Sequence, residues 1–97
     1  MPKSNEFKKF NTGKIQPALI EASFLIKLAE VLTHGAQKYD KDNWKKGDAE
    51  TYKNALMRHI LSYLEGEVLD EDSGLEHTAH IAANIMFLQH FDKENDI

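Results

Sequence analysis

His77, His80 and Asn84 fall at i, i+3 and i+7, a spacing that sets their side chains in one stripe on a helix. Two imidazoles and an amide in one stripe are more polar than a helical core tolerates without a reason. Two readings account for them: contacts to a metal ion or a phosphate, or helix-face histidines satisfied by neighbours and solvent. Upstream stand Arg58, His59, Glu65, Glu67 and Asp70. A guanidinium can hold a phosphate by its planar fork. Glu67 and Asp70 share a face if the preceding helix continues past Gly66, and carboxylates gathered with histidines suit hard divalent ions. The plainer alternative is a solvated acidic turn at a helix end, which is the reading for Glu71 and Asp72. A third group, Lys38, Tyr39, Asn43 and Trp44, combines charge for a phosphate, a ring for a base and an amide for a base edge. It reads equally as a loop pinned by two half-buried aromatics. Glu30 and His34 are i, i+4 neighbours that can serve the helix surface alone.

Composition narrows the chemistry. The chain has no cysteine, so disulfides, thiolate metal sites and cysteine nucleophiles are out. It has no glycine-rich phosphate loop and no Gly-x-Ser-x-Gly elbow. It also lacks the His-Asp dipeptide of HD-type phosphohydrolases, which ranks that class last. A formal net charge of −4 argues against a nucleic-acid polymer as partner. It is compatible with an enzyme whose carboxylates hold a cation that offsets phosphate charge. The polar stretch Met1 to Lys14 resembles no signal peptide, and no apolar run is long enough for a membrane span. A cytoplasmic location follows by elimination.

These residues need helices to place them. The 97 residues fit one domain, 1–97. Residues 1–15 read as an irregular arm with a turn at Asn11, Thr12 and Gly13, and Phe7 to Ile15 could pair as a short edge. A first helix is predicted from about Pro17 to Ala36, with Gly35 near its end. Residues 37–47 read as a loop. A second helix starts after Asp48, a good N-cap, and runs to about Leu64. Ser73 and Glu76 have capping-box spacing, which predicts a third helix beginning there. Residues 93–97 read as a frayed tail. The fold class is all-α, a small antiparallel helical bundle. So small a chain can hardly cover three amphipathic helices, so a homo-oligomer, a dimer or a dimer of dimers, is expected.

Taken in order, KFNTGK (Lys9 to Lys14), HGAQKYDKDNWKKG (His34 to Gly47), ALMRH (Ala55 to His59), GEVLDEDSGLEHTAH (Gly66 to His80) and ANIMFL (Ala83 to Leu88) resemble the phage-type dATP/dGTP diphosphohydrolase family, a relative of the MazG-like all-α nucleotide pyrophosphohydrolases. The resemblance implies a MazG-like helical fold, usually oligomeric. It also implies hydrolysis of a deoxynucleoside triphosphate, with a purine preference, to the monophosphate and pyrophosphate with Mg²⁺ or Mn²⁺. The better-known MazG relatives use a Glu-Glu-x-x-Glu helix and a Glu-x-x-Asp helix, and this chain has neither in that form. Glu67, Asp70, His77 and His80 stand as the equivalents, both as catalytic groups and as metal ligands. Lys14, Lys38 and Arg58 would then offset phosphate charge, and Tyr39, Asn43 and Trp44 would position base or sugar. His59 and Asn84 complete the substrate side. A non-catalytic helical interaction protein of a phage is the rival reading, and it would show an exposed apolar patch in place of a polar stripe.

Overall fold

A computed structural model describes residues 13–94. Most of the arm, including Asn11, Thr12 and the first part of the Phe7–Ile15 edge, lies outside the described residues. Within them the fold is all-α: α1 (Ala22–Tyr39), α2 (Ala49–Leu64) and α3 (His77–Glu94), with 3-10 turns at Pro17–Leu19 and Asn43–Lys46. Extended pairing among the described residues is limited to one antiparallel bridge, Leu69 with Glu76. Gly13 to Ile15 form no strand.

Side-chain pairs give the direction of each helix. Early in α2, Tyr52 packs on Phe87 and Phe91; later in α2, His59 meets His77 and His80. The two helices therefore run antiparallel. Lys27 of α1 pairs with Glu76 at 3.3 Å, and Trp44, beyond the end of α1, stacks on Phe87. The first helix thus runs in the same sense as α3. The main helix contacts are α3 with α2 and α3 with α1, which makes α3 the central element.

The core sits between α1 and α3. Leu28, Val31 and Leu32 follow helical spacing and meet Ala79 and Ala83, with Leu75 and Phe87 at the margin. The small alanines let the backbones approach closely. The core is thin, since among the described residues no large side chain is fully buried.

The helix boundaries differ from the sequence reading in four places. The first helix is split: Pro17 opens a 3-10 turn, Ile20 is extended, and α1 starts at Ala22. It then passes through Gly35 and stops at Asp40, whose φ of 83° is incompatible with helix. The third helix begins at His77, not Ser73, and the chain is still helical at Lys93 and Glu94, where a frayed tail was expected. The second helix starts as read. Asp48 accepts from the Thr51 amide at 2.9 Å and the Thr51 hydroxyl at 2.7 Å, closing an N-cap.

Candidate active site

The site is set by how α2 ends. Gly66 adopts φ +100°, the left-handed conformation that glycine enters without strain. Its amide bonds the Tyr63 carbonyl at 3.0 Å, and the Glu67 amide bonds the Ser62 carbonyl at 3.1 Å. This is a Schellman stop. Glu67 and Asp70 therefore share no helical face, because the helix does not continue past Gly66. A tight loop brings them to α3 instead. The Asp70 amide donates to Leu75 O at 2.7 Å, Gly74 N to Asp70 O at 2.7 Å, and His77 N to Val68 O at 2.9 Å.

Ser73 is the hinge of this loop, not a helix cap. Its amide and its hydroxyl both reach Asp70 Oδ2 at 2.9 Å, and its Oγ accepts from the Leu75 amide at 3.1 Å. The same Oγ lies 2.8 Å from His80 Nε2. An ionised carboxylate only accepts, so the hydroxyl proton goes to Asp70 and His80 must donate through Nε2. A neutral His80 then carries its lone pair on Nδ1. A parallel line runs through the other histidines. His77 Nε2 meets Glu67 Oε1 at 2.9 Å, and His77 Nδ1 meets His59 Nδ1 at 2.8 Å. By the same logic His77 donates to Glu67, and His59 supplies the proton between the two Nδ1 atoms. These tautomers are assigned from the partners each nitrogen has. The His59 and His80 rings stack at 4.4 Å with 5° between their planes.

Electrostatics follow from this crowding. Burial, then His77 and Arg58, push the His59 pKa below its ordinary value, with Asp70 opposing. Burial and the His59 ring do the same to His80, and His77 and His34 add to the effect. Burial works against the charge of Asp70, but the Ser73 amide and hydroxyl, helped by His80 and His59, outweigh it and lower its pKa. Near neutral pH Asp70 is therefore held as a carboxylate and His59 and His80 with lone pairs available, the state that a general base or a metal ligand needs.

A cleft of about 860 Å³ opens beside this cluster, and Lys38, Tyr39, Asn43, Trp44, Asp70 and His80 all line it. Residues from two separate stretches of sequence thus meet on one surface. Tyr39 is exposed at the cleft, with the Lys38 ammonium 5.1 Å from its ring centre. Trp44 also lines the cleft, but its ring is held by Phe87 at 4.5 Å and His90 at 5.0 Å, and Tyr52 donates to its carbonyl at 2.6 Å. Asn84 is buried, and its amide donates to the backbone carbonyl of His80 at 2.9 Å. Glu67, His59, His77 and Asn84 are not on the cleft wall. Two expected phosphate contacts stand apart: Arg58 is exposed on α2 beside His59, and Lys14 is exposed before the first 3-10 turn.

Two residues were missed. Ser73 was read as a helix cap, although Asp-x-x-Ser-Gly is itself a turn signal. His34 was read as helix surface, yet it lines the cleft. His59, Asp70 and His77 each offer a ligand atom, all within 4.8 Å of one another. Two imidazoles and a carboxylate fit a divalent ion.

The family described as dATP/dGTP diphosphohydrolase, N-terminal, matches residues 4–97. The chain belongs to this family. A relative from Salmonella phage PMBT28, named dATP/dGTP diphosphohydrolase, is 38% identical over 80 residues, which span 82% of this chain and 28% of the relative. The chain therefore covers less than a third of that relative's length. No solved structure matches. Among the described residues, no helix is long and apolar enough to cross a membrane.

Proposed function

We propose that this family member hydrolyses nucleoside triphosphates, purine deoxynucleotides foremost, to the monophosphate and pyrophosphate. The observation that carries the reading is the cleft that joins Lys38 and Tyr39 to Asp70 and His80. The name of the phage relative points to the same substrate class. The Lys38 ammonium would offset phosphate charge, and the exposed Tyr39 ring offers a face for a base. Trp44, clamped by its neighbours, forms a fixed part of the cleft wall.

The site's own residues suit attack by water without a covalent intermediate. His80, with its lone pair on Nδ1, is placed to take a proton from water, and Ser73 and Asp70 fix the ring. Glu67 holds His77 in one tautomer. Asp70 and His77 would hold a divalent ion, Mg²⁺ or Mn²⁺. When bound, it supplies positive charge to the triphosphate and acidifies a bound water.

The test is to incubate the protein with each dNTP and Mg²⁺ or Mn²⁺ and identify the products. Monophosphate plus pyrophosphate supports the reading, whereas diphosphate plus phosphate moves it to another class. A non-catalytic interaction protein is favoured by one observation, the exposed Met57, Leu61, Leu64 and Val68. Absence of turnover with every dNTP and ion would select it.

A further inference from the structure

We propose that His59, His77 and Asp70 form a nitrogen-rich cation site that takes a first-row transition ion, Mn²⁺ or a later member of the series, in preference to Mg²⁺. The inference deepens the reading of this cluster as an ion-dependent site, and it adds His59 to the ligands.

The geometry of His77 is the starting point. Its side chain is nearly sealed, at 3% exposure, and its Nε2 is given to the Glu67 carboxylate at 2.9 Å. A histidine with one nitrogen donated to a carboxylate presents the other as an oriented lone pair, the arrangement found behind metal-ligating imidazoles. The group facing that lone pair is another imidazole nitrogen, His59 Nδ1, at 2.8 Å. Two lone pairs cannot face each other at this distance, so in the ion-free chain one proton lies between them. A cation can take the proton's place. Bonds of about 2.0–2.1 Å at tetrahedral angles put two ligand nitrogens roughly 3.3 Å apart, so the rings need part by only about 0.5 Å from the 2.8 Å seen here.

Asp70 supplies the charged oxygen. It is held by two bonds from Ser73, which orient a ligand without spending its remaining lone pairs. Stacking on His80 limits the motion of the His59 ring. The donor set is then two imidazoles and one carboxylate, which leaves positions open for water and phosphate oxygens. Mg²⁺ favours oxygen ligands and sheds water reluctantly. Imidazole nitrogen favours the transition series. The pairing of His59 with His77 is therefore what sets the choice of ion.

Co²⁺ is a suitable probe, because its visible bands report direct ligation. The chain is titrated with Co²⁺ in the absence of nucleotide, Mg²⁺ is then added, and bound ion is counted by equilibrium dialysis. The expected result is one Co²⁺ per chain, retained in about a hundredfold excess of Mg²⁺, two decades of selectivity. His59→Gln should raise the Co²⁺ Kd by about tenfold or more with unchanged far-ultraviolet circular dichroism. Because a variant can fail to fold, paramagnetic broadening by Mn²⁺ is read on the unaltered chain. The ring signals of His59 and His77 should broaden first, ahead of His90. Displacement of Co²⁺ by an equal concentration of Mg²⁺ overturns the inference, and so does broadening that spares His59. Turnover of dNTPs without any such preference overturns the inference and leaves the proposed activity standing. Tight Co²⁺ binding without turnover does the reverse.

Discussion

Ser73→Ala removes a single oxygen, and the structure states what that oxygen does. It donates to Asp70 Oδ2 at 2.9 Å, accepts from His80 Nε2 at 2.8 Å, and accepts from the Leu75 amide at 3.1 Å. A hydrogen bond to a charged group contributes about 1.5–3 kcal/mol net. Asp70 keeps the Ser73 amide, so the lower half of that range applies to it. The His80 and Leu75 donors lose a partner in a half-buried setting. The contacts are not additive, and about 2 kcal/mol is a fair total. For a domain of this size each kcal/mol moves Tm by about 4–8 °C, so the expected fall is about 8–16 °C. A second readout separates this account from simple loss of packing. The Ser73 hydroxyl is one of the groups that lower the Asp70 pKa, so the variant's Asp70 should titrate higher, as followed by carboxyl NMR. A depressed carboxylate stabilises the fold above its unfolded pKa, about 3.9, and that stability is lost as pH falls through the folded value. The gap between wild type and variant should therefore narrow below about pH 4. A Tm within about 3 °C of wild type, with Asp70 titrating unchanged, would refute the reasoning.

Other expectations rest on separate observations. His59 and His80 both have lowered pKa values, so the unfolded chain binds more protons than the folded one; stability should fall as pH drops from about 7 through 6.5 and below, and His59→Gln should flatten that part of the Tm–pH curve. Gly47→Ala would set a Cβ 2.8 Å from the Tyr52 hydroxyl and 3.2 Å from its ring; the ring is packed on Phe87 and tied to Trp44, so a loss of about 1–3 kcal/mol is expected by thermal unfolding, and Tyr52→Phe in the same chain should recover part of it. Leu61 and Leu64 of α2 are 57% and 73% exposed, so sedimentation at micromolar concentration is expected to show a dimer or larger, and a stable monomer there would remove the case for an oligomer.

The helices were legible where a local signal had no competitor. Asp48 has only one amide run to cap, so the start of α2 was read directly, and its end was placed at about Leu64 with continuation past Gly66 left open. The start of α3 was misread because Ser73 carries two signals at once. Its spacing to Glu76 is that of a capping box, and its spacing to Asp70 is that of a side-chain turn. The turn prevails because Gly74, at φ +72°, turns the chain before any helix can form. His77, His80, Glu67 and Asp70 stood out by residue type alone. Their meeting is tertiary, since it depends on the Schellman stop and the bridge between Leu69 and Glu76. The part of His34 was hidden because the cleft that it lines forms only when α1 continues past Gly35.

The central helix explains why a thin core and a polar site can coexist in one small domain. Toward α1, α3 presents Ala79 and Ala83, which are almost fully buried. Toward α2 it presents His77 and His80, with Asn84 bonded to the His80 carbonyl. Burial that elsewhere would stabilise a core here desolvates the His59 and His80 imidazoles and depresses their pKa. The cost is met locally by hydrogen bonds: none of the buried side-chain polar atoms among the described residues lacks a partner. The apolar surface that such a helix cannot cover is left on α2 and the 3-10 turn before α1, at Leu61, Leu64 and Leu19. The polar stripe and the exposed apolar faces are thus consequences of one choice, the use of α3 as the wall of a site, not as the centre of a closed bundle.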